Sequence, residues 1–200
     1  MNEYDPKVGG TLNEAVYKQP MRMWNGYVVL QHDSNRKITN GVIDHTGQEM
    51  NGYSKNSDRG NYFWASEFPG KDQSNGGSYH YYCLVKPELI YDMEKNPKKY
   101  DSTEEAMEHE PYISGRWYDG AIAVMSHKPT PISFIEYNDN YGDGGGIYDA
   151  EWHFLRPTGL YNEKRKNLAV AKKIKPFQNV EVPEFLHAYD YNQLLSAPGY

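Results

Sequence analysis

The first firm structural signal in the chain is the run Gly26-Tyr27-Val28-Val29-Leu30-Gln31, which is followed by His32-Asp33-Ser34-Asn35. β-Branched and aromatic residues favour strands, whereas Asp, Ser and Asn favour turns. The run therefore predicts a strand over 26–31 that enters a turn at 32–35. The chain from 35 to 60 is polar and rich in turn formers such as Asn40-Gly41 and Asn51-Gly52. A loop of this length inside a compact domain is usually functional or mobile.

Beyond this loop, apolar and aromatic runs alternate with turn-forming residues along most of the chain. Strands are predicted over 61–65, 79–86, 89–92, 121–125, 132–136 and 151–155. A short helix is predicted near 12–17, and another runs from Ser102 to about Glu110, because Ser102 and Glu105 have capping-box spacing. Strands dominate and helices are few, so the predicted class is α+β with a largely antiparallel sheet.

The length of 200 residues fits a single domain that is large enough to bury its own core. We assign residues 1–160 to this domain, including an N-terminal arm, and residues 161–200 to a basic helix with a proline-containing tail. The lysines between Lys164 and Lys175 are interpreted as a solvated helix face. The net charge of −6 disfavours sequence-independent binding of nucleic acid, which depends on Lys and Arg.

The sequence indicates a cytoplasmic protein without a membrane partner. It contains no run approaching the roughly 18–20 apolar residues of a membrane-spanning helix, and its first residues lack the features of a secretory signal. Its single cysteine, Cys83, rules out an internal disulfide. The apolar sequence around Cys83 predicts an inert thiol buried in a strand.

Several motifs for cofactor or nucleophilic chemistry are incomplete. The glycine-rich loop at 142–146 lacks the Gly-Lys-Ser/Thr ending of a P-loop and the spacing of a Rossmann turn, so we interpret it as a flexible segment beside a functional strand. The seven histidines show no metal-ligand spacing, so no metal site is predicted. No Gly-x-Ser-x-Gly elbow supports a serine nucleophile.

Four motifs on strand-like segments occur in a fixed order along the chain. They are His32-Asp33-Ser34, Gly60-Asn61-Tyr62-Phe63, Asp119-Gly120-Ala121-Ile122 and the run from Glu151 to Pro157. Their order resembles the His-Tyr-Glu branch of the ADP-ribosyltransferase superfamily, which includes poly-ADP-ribose polymerases, diphtheria-type toxins and small phage and bacterial proteins. The resemblance spans about residues 24 to 157. Asp33 stands where the family usually has glycine, and Asn61 where it usually has an apolar residue.

The resemblance implies split antiparallel β-sheets with few flanking helices, and it implies NAD as the co-substrate. By resemblance, His32 hydrogen-bonds the adenosine-side ribose and Ser34 the nicotinamide amide. Tyr62 stacks on the nicotinamide ring, and Glu151, the catalytic residue, binds the ribose whose anomeric carbon reacts. The predicted enzyme is an NAD-dependent ADP-ribosyltransferase, a glycosyltransferase that releases nicotinamide and modifies an unidentified protein or, less often, a nucleic acid.

The chemistry of the reaction agrees with these residue types. Departure of nicotinamide leaves an oxocarbenium-like sugar, and a carboxylate beside that sugar stabilises the growing positive charge. An imidazole offers one donor and one acceptor, which suits a ribose diol. Tyrosine supplies a flat face for stacking on a ligand ring.

Two alternatives remain open at the level of sequence. The same fold can serve as a non-catalytic binding module or a structural module of a virion, because a fold does not fix an activity. Asp33 and the high tyrosine content, 19 residues, motivate this alternative. The other is a hydrolase of β-rich fold. The sequence identifies neither the acceptor nor the oligomeric state.

Overall fold

The computed structural model describes residues 19–45, 60–66, 78–116, 120–137, 145–157 and 181–186. The helix predicted near 12–17, the domain boundary at 160 and the basic helix beyond it lie outside these residues. So does most of the glycine-rich loop. In the described ranges, no helix is long and apolar enough to cross a lipid bilayer.

Strands make up most of the regular structure, as the sequence predicts. In the described part of the chain they are β1 (Met23–Trp24), β2 (Tyr27–Ser34), β3 (Val42–Ile43), β4 (Asn61–Trp64), β5 (Tyr79–Val85), β6 (Ile90–Asp92), β7 (Tyr112–Arg116), β8 (Ile122–Ser126), β9 (Thr130–Pro131), β10 (Phe134–Tyr137), β11 (Gly146–Asp149) and β12 (Phe154–Pro157). The α-helix α1 (Thr103–His109) and a 3-10 turn (Pro87–Leu89) complete the described elements. The α+β class with few helices is confirmed.

The chain forms two compact units, and strands β2 and β5 each contribute to both. The first unit contains Met1–His32, Ile43–Ser74 and Cys83–Thr130, and the second contains the remaining segments, Asp33–Val42, Asn75–Tyr82 and Pro131–Tyr200. The first boundary falls between His32 and Asp33, inside the motif at the end of β2.

In the first unit, the strand order is β2-β4-β8-β7-β6, and β1 pairs with β2. Neighbouring strands are antiparallel except β6 and β7, which are parallel. Parallel neighbours need a crossover connection, and α1 supplies it. Residues 28–31 of β2 are all buried, which is the pattern of a strand covered on both faces.

Helix α1 begins where the sequence predicts. The Ser102 hydroxyl accepts a hydrogen bond from the Glu105 amide at 3.1 Å, and a Glu105 carboxylate oxygen accepts one from the Asp101 amide at 2.7 Å. The first bond satisfies a first-turn amide that has no partner within the helix, and the second holds the residue before the N-cap. The helix ends at His109, and its buried Ala106 and Met107 pack with Ile113 of β7.

In the second unit, β12, β11, β10 and the first four residues of β5 follow one another in antiparallel order. Tyr81 pairs with Ile135, and His80 pairs with Glu136. Cross-strand partners lie on the same face of a sheet, and successive residues of a strand alternate between its faces. This register therefore places the ionisable pair His80 and Glu136 on one face, and Tyr81 and Ile135 on the other.

Two predicted strand boundaries are wrong. Strand β2 continues through Ser34, past the turn predicted at 32–35. The strand predicted over 151–155 begins only at Phe154, because the Asp149 carboxylate accepts hydrogen bonds from the amides of Glu151 and His153, both at 2.9 Å. Such local bonds hold the backbone in a turn, and Trp152 has a positive φ of 65° there.

Candidate functional site

His32 lies at the end of the part of β2 that belongs to the first unit, and its ring is partly exposed. Its Nδ1 lies 3.0 Å from the backbone carbonyl oxygen of Tyr62. A carbonyl oxygen only accepts hydrogen bonds, so Nδ1 carries the proton. In the neutral ring, Nε2 is then the acceptor. The structure thus brings together two of the residues predicted from sequence, His32 and Tyr62, through the backbone of β4.

A second imidazole faces the first. His45 Nε2 lies 2.9 Å from His32 Nε2, and the two rings are tilted by 40° with centroids 4.7 Å apart. Since His32 Nε2 is an acceptor, His45 Nε2 must donate the proton of this bond. Sequence reasoning missed His45, because a lone histidine in a polar segment carries no motif.

Tyr62 projects from β4 on its partly exposed side. Burial alternates along this strand, so that Asn61 and Phe63 are buried while Tyr62 and Trp64 are partly exposed. The Tyr62 and Trp64 rings meet edge to face, with centroids 5.3 Å apart. Tyr62 is thus partly exposed along its ring, while its hydroxyl oxygen is buried.

Asn61 has a structural role in the first unit. It is fully buried, and its amide nitrogen donates to the carbonyl oxygens of Ile43, at 3.1 Å, and Lys128, at 2.7 Å. Its side-chain oxygen accepts from the His45 amide at 2.7 Å. One side chain thus ties β4 to two other backbone segments, residues 43–45, which include His45, and Lys128.

Gly60, which precedes Asn61 in the motif, occupies a position that only glycine tolerates. Its φ is +67°, a conformation that side chains disfavour. A Cβ atom there would also collide with the Ser126 carbonyl oxygen and the His127 ring. The glycine therefore allows the close approach of β4 and β8 at the point where the motif begins.

Ser34 and Glu151 both lie in the second unit. The Ser34 hydroxyl accepts a hydrogen bond from the Arg36 amide at 3.0 Å, a local turn contact. Glu151 is in the turn after β11, its side chain is 81% exposed, and a carboxylate oxygen lies 3.7 Å from His153 Nδ1. Within this unit, the structure gives each residue a local contact and no contact with the other.

Asp33 is directed into a buried ionisable row of the second unit. One of its carboxylate oxygens lies 2.6 Å from His80 Nδ1, and both side chains are about one-tenth exposed. Glu136, which is 1% exposed, is the cross-strand partner of His80. On β11, Ile147 is the partner of both Glu136 and Arg156, so these side chains share one face of the sheet.

Buried charges are costly unless they are paired, and clusters of them often mark functional sites. No sequence pattern indicates this row, because its members come from four separate strands. Its burial distinguishes it from the His32 pair, whose two rings are both partly exposed.

The opposite face of the second unit carries an aromatic cluster, all of it partly exposed. The cluster consists of Tyr79, Tyr137, Tyr148, Trp152 and Phe154. Tyr79 and Tyr137 stack with ring centroids 4.8 Å apart, and the Lys37 ammonium lies 4.2 Å from the Trp152 ring centroid. Partly exposed aromatic groups of this kind suit recognition of a partner or a flat ligand.

Tyr81 anchors the segment that follows β2. Its hydroxyl accepts from the Ile38 amide at 2.7 Å and donates to the Arg36 carbonyl oxygen at 2.9 Å, and the Trp152 indole donates to the Ile38 carbonyl oxygen. Burial raises the pKa of Tyr81 to about 12, partly offset by the bond from Ile38. The Tyr81 hydroxyl is thus a structural group that stays protonated at neutral pH.

Cys83 is buried in β5, as predicted, and burial raises the pKa of its thiol far above the ordinary value. A thiol that resists ionisation is a poor nucleophile. In the described parts of the chain, no three His, Cys, Asp or Glu side chains gather as ligands for a metal ion.

No known protein family, curated protein sequence or solved structure matches this chain.

Proposed function

We propose that the chain binds NAD and transfers its ADP-ribose group to a macromolecular acceptor, with release of nicotinamide. The observation that carries this proposal is the arrangement of His32 and Tyr62 on neighbouring strands. The Tyr62 carbonyl fixes the His32 tautomer so that Nε2 is an acceptor, which is what a ribose hydroxyl needs as a partner. We also propose that the sheets have the split arrangement of ADP-ribosyltransferases.

The proposed roles follow the order of the motifs. His32 binds the adenosine-side ribose, Ser34 the nicotinamide amide, and Tyr62 stacks on the nicotinamide ring. The bond between the ribose anomeric carbon and the ring nitrogen breaks, and its electron pair leaves with nicotinamide. Glu151 stabilises the positive charge left on the sugar. A nucleophile of the acceptor then bonds to the anomeric carbon and loses its proton.

The partners proposed are NAD and a protein acceptor, with nucleic acid as the less favoured acceptor. The proposed location is the cytoplasm of a bacterium or of a phage-infected host cell, as the resemblance to small phage and bacterial proteins implies.

A second candidate function follows from the exposure of Glu151 and from the aromatic cluster. An exposed carboxylate in a solvated turn stabilises charge weakly, because water screens it. The partly exposed rings of Tyr79, Tyr137 and Trp152 offer a surface for a protein partner. On this second candidate, the chain is a non-catalytic binding module.

The test is to incubate the protein with NAD and candidate acceptors, and to measure nicotinamide release together with NAD binding by calorimetry. The proposal expects nicotinamide release by the natural protein, its loss in Glu151→Gln and its retention in the control Glu88→Gln, an exposed glutamate of the 3-10 turn. His32→Ala should weaken NAD binding.

Each outcome separates the two candidates. NAD binding without nicotinamide release, unchanged by Glu151→Gln, favours the binding module. The transferase proposal is wrong when neither NAD binding nor nicotinamide release is detected with a folded protein.

A further inference from the structure

We propose that His45 is a second NAD-binding residue, and that His32 and His45 take one hydroxyl group of the adenosine-side ribose between their Nε2 atoms. This inference rests on the proposed function, and it extends that function to a residue with no counterpart in the motifs that carry the family resemblance.

The first step of the argument is the complementary protonation of the two rings. The Tyr62 carbonyl requires the proton of His32 to be on Nδ1. His32 Nε2 is therefore an acceptor, and His45 Nε2, 2.9 Å away, is a donor. The ligand-free pair thus presents one donor and one acceptor directly opposite each other.

The second step is that a hydroxyl group matches this pair. A hydroxyl both donates and accepts, so it can accept from His45 Nε2 and donate to His32 Nε2. One N–H···N bond is then replaced by an N–H···O bond and an O–H···N bond. An ether or a phosphate ester at the same oxygen has no proton to donate and cannot make both bonds.

The third step concerns the movement that insertion requires. Two hydrogen bonds of about 2.8–2.9 Å that meet at a bent oxygen separate the nitrogens by roughly 4.5–5 Å, compared with the 2.9 Å between them now. His32 is held by the Tyr62 carbonyl, so the His45 ring must swing away by about 2 Å. The Asn61 side chain holds the His45 backbone amide, so we expect the movement to come from rotation of the His45 side chain.

The location of the pair allows a ligand to reach it. Both rings are partly exposed, whereas the groups that hold them, Asn61 and Phe63, are buried. The edge of the His32 ring contacts Phe63, with centroids 6.1 Å apart at 67°. A partly exposed imidazole pair that is anchored by buried groups can be reached by a ligand from solvent.

The experiment measures binding of NAD and of its adenosine-side 2′-deoxy and 3′-deoxy analogues by calorimetry. The variants are His45→Ala, His45→Gln and the control His109→Ala, an exposed histidine that stacks on Tyr100 at the end of α1. Circular dichroism and the thermal midpoint establish that each variant is folded.

The expected result is that His45→Ala weakens NAD binding by about 3- to 10-fold, the effect of one hydrogen bond. One deoxy analogue binds the natural protein more weakly by a similar factor, and His45→Ala has no further effect on that analogue. His45→Gln restores part of the affinity, because the glutamine amide can donate. His109→Ala binds like the natural protein.

Two results overturn the inference while the proposed function stands. In the first, His45→Ala binds NAD as tightly as the natural protein or more tightly, which makes His45 a competitor for the site. In the second, His45→Ala weakens the binding of both deoxy analogues as much as it weakens the binding of NAD. Absence of NAD binding by the folded natural protein removes the proposed function, and the inference with it.

Discussion

Replacing Asn61 tests whether its buried side chain holds together the strand that carries the candidate site. Asn61→Ala deletes three buried hydrogen bonds, to the Ile43 and Lys128 carbonyl oxygens and from the His45 amide. At about 0.5–1.5 kcal/mol for each bond, the free energy of unfolding should fall by about 2–4 kcal/mol. For a chain of this size, that loss lowers the thermal midpoint by roughly 5–15 °C.

The assay is urea unfolding followed by circular dichroism and by tryptophan fluorescence, with Asn61→Leu as a second variant. Leucine restores apolar volume but no hydrogen bond, so Asn61→Leu should remain destabilised. The control is Asn40→Ala, which removes one exposed turn contact, to the Val42 amide, and should change stability by less than about 0.5 kcal/mol. If Asn61→Leu is as stable as the natural protein, the argument from hydrogen bonding is refuted.

Three further predictions concern the buried ionisable groups. Asp33→Gly deprives His80 of a buried partner, so the free energy of unfolding in urea should fall by about 1–3 kcal/mol. An unchanged urea midpoint would show that the pair contributes nothing to stability. Folding favours the neutral phenol of Tyr81. The stability that this phenol contributes to the folded state is complete below the ordinary pKa of 10.0 and is lost as the pH rises through about 12. Ultraviolet titration should show a late-ionising step that Tyr81→Phe reduces by one tyrosine, and an unchanged late step in Tyr81→Phe would contradict the assignment. Cys83 should resist a thiol reagent in the native protein and react rapidly in urea, and rapid native reaction would contradict its burial.

Local signals were sufficient to predict part of the fold. Helix α1 begins at its capping box because the bonds of Ser102 and Glu105 involve neighbouring residues only. The strong β-rich runs at β2 and β5 were also predicted, since several consecutive residues there favour strands.

Other elements depend on partners that the sequence does not display. Strand β7 was not predicted, because Ser114 and Gly115 are typical of turns and form a strand only between β6 and β8. Strand β11 was missed for a similar reason, since Gly146 follows a glycine-rich run. The strand expected at Glu151 does not form there, because the Asp149 side chain stabilises a turn instead.

The candidate site shows the same limit. The motifs identified His32 and Tyr62, and their roles in binding NAD stay predictions. His45 could not be found because it follows β3 in an irregular segment that carries no motif. The buried partners His80 and Glu136 could not be found because their contacts join strands that are far apart in the sequence. A cross-strand pair leaves no fixed spacing for a sequence pattern to detect.

The parallel pair of β6 and β7 has a consequence for the order in which the chain acquires structure. Its strands and the crossover helix α1 are continuous in the chain from Ile90 to Arg116, so their contacts close only short loops. Short loop closure costs little entropy and favours rapid formation. The pairing of β5 with β10 must instead wait for the whole intervening chain, including this βαβ segment, to be synthesised. During synthesis on the ribosome, Ile90 to Arg116 is therefore positioned to serve as an early nucleus for the first unit.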